Sequence, residues 1–218
     1  VCQRLTIVND KSYRDPGHRR SRFELEDYLD SERPEGELMH LPLFPLNVVL
    51  FPGMMLPLHI FEPRYREMIN HCIETKSPFG VVLIQEGQEA GGLAVPHAIG
   101  TAARIVNVKR EADGRMNIMS VGTQRFKVEG FDRSHAYLSA DVTAFPIANG
   151  HTQLATDLSQ KLRPKLLEYV DLLSEATNAK MRLDRIPEDP KMLAYMVAIA
   201  LQVDNAEKQQ LLEQTSVP

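Results

Sequence analysis

From residue 38 onward, short apolar runs alternate with turn residues, and after residue 150 the apolar positions keep only a helical spacing. Leu38 to Leu46 (LMHLPLFPL) is apolar and studded with proline. Proline cannot donate to a strand ladder, so the strand expected here lies at an edge or is interrupted. Phe51-Pro52-Gly53 reads as a turn, and Met55 to Ile60 as a second short strand. The period then changes. Pro63 suits a first helical turn, where its missing N–H has no helical partner. Tyr65, Met68, Ile69, Cys72 and Ile73 follow at three- and four-residue steps, the spacing of one buried helical face. Lys76, Ser77 and Pro78 end that helix.

Phe79 to Ile84 is a continuous apolar run of strand length, and Gly87 to Pro96 reads as a loop. Strands are expected over 99–111, 115–122, 124–131 and 137–145. Asp113-Gly114 marks the first hairpin, because both residues tolerate positive φ. On these strands Met116 and Met119 stand at odd spacing and point to opposite faces. Residues 146–150 read as a linker. Beyond it Leu154, Leu158, Leu162, Leu166 and Val170 step by four. Pro164 falls inside this run and either kinks one helix or opens a new one. After a break at 185–190, Met192, Leu193, Met196, Val197, Ala200 and Leu201 define another amphipathic helix, with Met192 and Met196 on its core face. Residues 206–214 form a last short helix capped by Asp204 or Asn205. The pattern predicts an α+β protein: an N-terminal extension over 1–37, a β-rich unit with one inserted helix over 38–148, and a helical unit over 151–218.

Composition narrows the class. The 218 residues are 43% hydrophobic and 25% charged with a net charge of −4, which suits a globular chain able to bury its own core. No apolar run approaches the roughly 18 residues that cross a bilayer, so no membrane is expected. Two cysteines, Cys2 and Cys72, exclude a disulfide scaffold and suit a reducing compartment, the cytoplasm. A pI near 6.0 argues against a dedicated nucleic-acid binder. Charge is uneven only at the start. Residues 1–22 carry a net +4, and residues 23–37 a net −6 around the apolar Phe23, Leu25, Tyr28 and Leu29. The expected extension is solvated, with a docking arm as the alternative.

Motifs of catalysis are absent. The sequence holds no Walker-type phosphate loop, no H-E-x-x-H, no C-x-x-C and no G-x-S-x-G. His59 and Glu62 straddle a strand-to-helix junction with no third ligand nearby, so no metal or other cofactor is expected. Cys72 lies on the inward face of its helix, where a thiol is inert.

One long stretch, Leu41 to Arg66 (LPLFPLNVVLFPGMMLPLHIFEPRYR), closely resembles the opening of the Lon protease N-terminal (substrate-binding) domain family. Gly122 to Phe126 (GTQRF) is similar to that family's second signature, and Gly100 to Ile105 (GTAARI) to its central strand. Asp189 to Leu193 and Glu207 to Glu213 resemble its helical part. The resemblance spans roughly 38–215. The AAA+ and Ser-Lys protease modules of Lon have no counterpart in the sequence, and His59 to Arg66 looks more like the free-standing branch of the family.

The resemblance implies a PUA-like β-barrel with one inserted helix, followed by a small C-terminal helical bundle. It implies a non-catalytic module that engages unfolded or partly folded polypeptides as an adaptor or chaperone-like factor, in partnership with a protease or chaperone machine. RNA binding, as in other PUA-like barrels, and a hydrolase with a dispersed site are the alternatives. The residues proposed to meet polypeptide are Phe51, Met54, Met55, His59, Arg64, Tyr65 and Arg125. Phe51, Met54 and Met55 flank a Pro-Gly turn, where apolar side chains either form a sticky patch or cap the core. Arg64 opposes the helix dipole, so an ion pair with Glu62 or Glu67 is the structural alternative to ligand binding. Arg125 is expected to face outward, with Phe126 inward.

Overall fold

The computed structural model describes residues 37–87, 94–148, 150–178, 183 and 185–216. The expectations for residues 1–36, the Phe23 to Leu29 stretch included, lie outside the described residues. The elements are β1 (Met39–Leu46), β2 (Met55–Ile60), α1 (Pro63–Thr75), β3 (Phe79–Glu86), β4 (Val95–Pro96), β5 (Ile99–Arg110), β6 (Met116–Asp132), β7 (Ser139–Ala144), α2 (Gln153–Thr177), α3 (Pro190–Ala200) and α4 (Asn205–Leu212).

The strands close on themselves. β1 pairs antiparallel with β7, β7 with β6, β6 with β5 and β5 with β3, and β3 returns to β1 in parallel register. β2 and β4 add to this ring at β6 and β3. Side chains from all five ring strands meet in one cluster that fills the lumen: Leu41 and Leu43, Val82, Ala102, Phe126 and Val128, Ala140 and Val142. Gly80 and Gly100 leave room for the Phe126 ring, whose Cζ would lie 2.7 and 2.8 Å from a Cβ at either position. This is the α+β barrel with one inserted helix and C-terminal helices that the sequence predicts.

α1 covers one outer side of the barrel. Its inward residues are Tyr65, Met68, Ile69 and Cys72, the face predicted from the spacing. Tyr65 stacks on Phe44 at 4.0 Å between ring centroids. The helices after residue 150 cover another side. Tyr195, Ala198 and Leu212 pack with Val49, Phe51, Leu83 and Ile99 of the barrel. Asp189 caps α3 by accepting from Met192 N, and Asp204 caps α4 in a reciprocal box with Glu207. Asn205, the other candidate cap, instead donates to the carbonyl of Asn47 at 2.7 Å.

Several elements differ from the sequence reading. The strands expected on either side of Thr123 are one strand, β6, of 17 residues. Gly122 is there for a close approach rather than a turn: a Cβ at this position would collide with the carbonyl oxygen of Phe51 and meet Leu50 Cγ at 3.1 Å. Residues 95–96, expected in a loop, form the short β4. Of the two alternatives at Pro164 the single helix holds, and α2 runs 25 residues with the proline inside it. Met192 and Met196 do not share a core face. Met192 packs toward the barrel and Met196 toward α2, because α3 is sandwiched between them.

Gly122→Ala is expected to cost about 2–4 kcal/mol in urea unfolding, the range of an overpacked site that cannot give way. Gly130→Ala, where an added Cβ has nothing within 4 Å, is the control and stays within about 0.5 kcal/mol of the parent.

Candidate functional site

The backbone at Gly122 sets the register of β2. Gly53 N donates to the Gly122 carbonyl at 2.8 Å, and Gly122 N donates to the Met54 carbonyl at 2.9 Å. From this anchor Met55 lies opposite Val121, Pro57 opposite Met119 and His59 opposite Asn117. Strand periodicity then sorts the side chains. Leu56, Leu58 and Ile60 join Met116 and Ile118 beneath α1. Met55, Pro57 and His59 project to the other side and are exposed.

That outer face continues onto β5, where Asn107 lies opposite Met119 and Lys109 opposite Asn117. Its apolar part is Met55, 46% exposed, with Pro57 and the half-buried Met119. Val106, the extra residue where the β5 register shifts, is also exposed. Phe61, 55% exposed, stacks on His59 with centroids 5.9 Å apart. The polar end is ordered by a relay. His59 Nδ1 lies 2.8 Å from Asn117 Oδ1, which only accepts, so Nδ1 carries the hydrogen. Asn117 Nδ2 donates to Glu111 Oε1 at 2.8 Å. Arg115 pairs with both Glu111 (3.2 Å) and Asp113 (2.6 Å), and Asp113's carboxyl is held below its usual pKa by hydrogen bonds from Arg115.

The residues singled out from sequence therefore separate. Met55 and His59 share this face. Met54 is half-buried and packs between two core clusters. Phe51 is 1% exposed and Tyr65 lies under Arg64, so neither ring is on a surface. The Arg64 guanidinium sits 4.5 Å over that ring, with Nε and Nη2 each 3.0 Å from Glu62. The ion pair is thus local to the start of α1.

Arg125 corrects its expectation. It does not face outward: it is 2% exposed, because the C-terminal segment covers the side of β6 that strand alternation assigns away from Phe126. Its Nη1 donates to the carbonyls of Leu212 (2.5 Å) and Gln214 (2.7 Å), and the guanidinium lies 4.8 Å from the Phe145 ring centroid. Burial pulls its pKa below the usual guanidinium value, and Tyr195 beside it opposes that. Around it Gln209 Nε2 donates to the Ile99 carbonyl at 3.0 Å, and Ala148 N to the Thr215 carbonyl at 2.8 Å. These side-chain and backbone ties lace residues 205–216 onto the barrel. Arg125 is a clamp between two parts of the chain.

Other chemistry is sparse. Among the described residues no three His, Cys, Asp or Glu side chains come together to hold a metal ion. Burial pushes the Cys72 thiol up to about 11, so it stays protonated at neutral pH. Leu154, Leu158 and Leu172 are exposed on one side of α2 and form a second, separate apolar surface. Sequence reasoning did not include Pro57, Met119 and Val106 in the site. The alternation over 55–60 carried the signal for Pro57, whereas Met119 needs the β2–β6 register.

The geometry is thus a small closed barrel braced by helices, with an ordered apolar strip on one sheet face. The chain belongs to the family of the ATP-dependent protease La (Lon) substrate-binding domain, whose model matches residues 40–218. It is 27% identical over 187 residues to Lon protease 2 of Syntrophobacter fumaroxidans, covering 83% of this chain and 23% of that protein. It is 33% identical over 120 residues to the Lon protease of Parabacteroides distasonis, covering 54% of this chain and 14% of that protein. The chain thus spans less than a quarter of the length of these curated relatives. Among solved structures, the Lon N-terminal domain protein of Xanthomonas campestris superposes with a TM-score of 0.56 at 28% identity, covering 82% of this chain and 92% of that one. The N-terminal domain of a Mycobacterium avium complex Lon protease shares the fold, at TM-score 0.56 and 22% identity, over 81% of this chain and 90% of its own.

Arg125→Ala is expected to destabilise the protein by about 2–4 kcal/mol, since it leaves the buried Leu212 carbonyl and the neighbouring Gln214 carbonyl without their donor. Hydrogen exchange should show amides of 205–216 losing protection before those of the barrel. A loss of stability without that local opening would contradict the clamp.

Proposed function

We propose that the protein captures unfolded or partly folded polypeptides on the outer face of β2, β6 and β5, as an adaptor or chaperone-like module without catalysis of its own. The observation that carries this reading is the strip of exposed Met55 and Pro57 with the half-buried Met119, set in paired strands and framed by an ordered polar end. Methionine suits the role because its flexible, polarizable side chain adapts to many apolar partners. Membership of a substrate-binding-domain family supports the same direction. In this reading residues 38–148 supply the capturing face and residues 151–218 brace it. Phe51, Tyr65 and Arg125 hold the structure, and Arg64 anchors the start of α1. A protease or chaperone machine is the proposed recipient of the captured chain, and the cytoplasm the proposed compartment. No helix of the described residues is long and apolar enough to cross a membrane.

The test is a polarisation titration with a permanently unfolded, alkylated model polypeptide and with a single-stranded RNA, each at low and high salt. Binding of the polypeptide with little salt dependence is expected, and Met55→Asp, at an exposed position, should weaken it about tenfold or more while leaving the melting temperature unchanged. Salt-steep binding of RNA alone would overturn the reading.

A further inference from the structure

Among the described residues the capture face borders strand edges that have no neighbouring strand, and the way those edges are built says how a polypeptide is held. Gly122 N donates to the Met54 carbonyl, so the even-numbered residues of β2 turn their backbone groups toward β6. Met55, Pro57 and His59 turn theirs to the open side. An added strand would need donors from all three, and the central one is a proline with no N–H. That placement also explains why β2 tolerates Pro57: its missing donor costs the β2–β6 ladder nothing.

The other unpaired stretches are blunted as well. β4 has two residues, one of them Pro96. β5 has a strand partner on its far side only at 101–103. Beyond that it carries a register shift between Ile105 and Asn107, and the cations Arg104, Lys109 and Arg110. β1, paired to β7 through its first half and to β3 through its second, carries Pro42 and Pro45. Short length, bulges, proline and charge are the devices that keep an edge from taking on another strand.

The sheet face itself has a sign. Arg104 and Lys109 lie across β6 from Met55 and His59, opposite Val121 and Asn117 respectively. The nearby acids, Glu111 and Asp113, are at the hairpin tip and are paired with Arg115. An apolar strip beside the Lys109 cation favours apolar side chains accompanied by carboxylates.

We infer that this face holds its ligand through side chains rather than by strand addition, and that the ligand is an unfolded segment in which apolar residues are flanked by Asp or Glu. The inference rests on the capture reading above and specifies its mode and substrate class.

The experiment uses the full chain and three labelled peptides with one apolar centre: one with acidic flanks, the same peptide N-methylated at alternate backbone positions, and one with basic flanks. The N-methylated peptide is expected to bind within about threefold of its parent, whereas strand addition would lose tenfold or more because several backbone hydrogen bonds are at stake. Acidic flanks are expected to bind about three- to tenfold tighter than basic ones at low salt, with the gap closing at high salt. Lys109→Glu should narrow or reverse it. A large loss on N-methylation overturns the side-chain mode, and equal or tighter binding of the basic peptide overturns the substrate class. If no peptide binds at all, the capture reading fails and this inference with it.

Discussion

The backbone of residues 51–54 lies directly on Gly122, and the placement of the surface follows from that contact. Only a residue without a Cβ lets the Phe51 carbonyl come so close. The two hydrogen bonds that result, Gly53 to Gly122 and Gly122 to Met54, fix where β2 starts along β6. Since a slip of one residue exchanges the two faces of a strand, this contact decides that Leu56, Leu58 and Ile60 go under α1. It equally decides that Met55, Pro57 and His59 face out. Gly53, at φ 80°, supplies the turn that delivers the chain to that position.

A second constraint acts three residues further along β6. β6 passes from β2 to β7 along one edge, and Arg125 sits between these two pairings. Its guanidinium gathers carbonyls from the last residue of α4 and from just beyond it, so the last helix is tied to the strand that carries the exposed face. Phe51 packs close by with Tyr195, Ala198 and Leu212. The apolar residues around the Pro-Gly turn therefore divide their work. Phe51 closes the junction between barrel and helices, Met54 fills the space between clusters, and Met55 remains in solvent.

Much of this was legible from sequence. The helical period from Tyr65 to Cys72 names its buried face correctly, and Met55–Ile60 is recognisable as a strand, because both are local properties. What was not legible is what depends on a distant neighbour. Thr123 looks like a strand break until the 51–54 backbone is laid on Gly122 beside it. Arg125 looks like an outward residue by alternation, since alternation assigns a side but does not say that a C-terminal segment covers it. At Pro164 the pattern leaves one helix or two equally open, and only the structure shows that α2 continues through it and packs on α3 through Leu166 and Val170. Met119 gains its role only from pairing with Pro57. The candidate surface is thus half local pattern and half register, and the register was the hidden half.

The most direct measurement is the methyl spectrum of the nine methionines, with and without a permanently unfolded polypeptide. The account predicts that the Met55 and Met119 methyls shift and broaden, while the buried Met68 and Met116 methyls do not move. Unmoved Met55 and Met119 signals alongside perturbed amides at Leu154, Leu158 and Leu172 would place the polypeptide on α2 and contradict it.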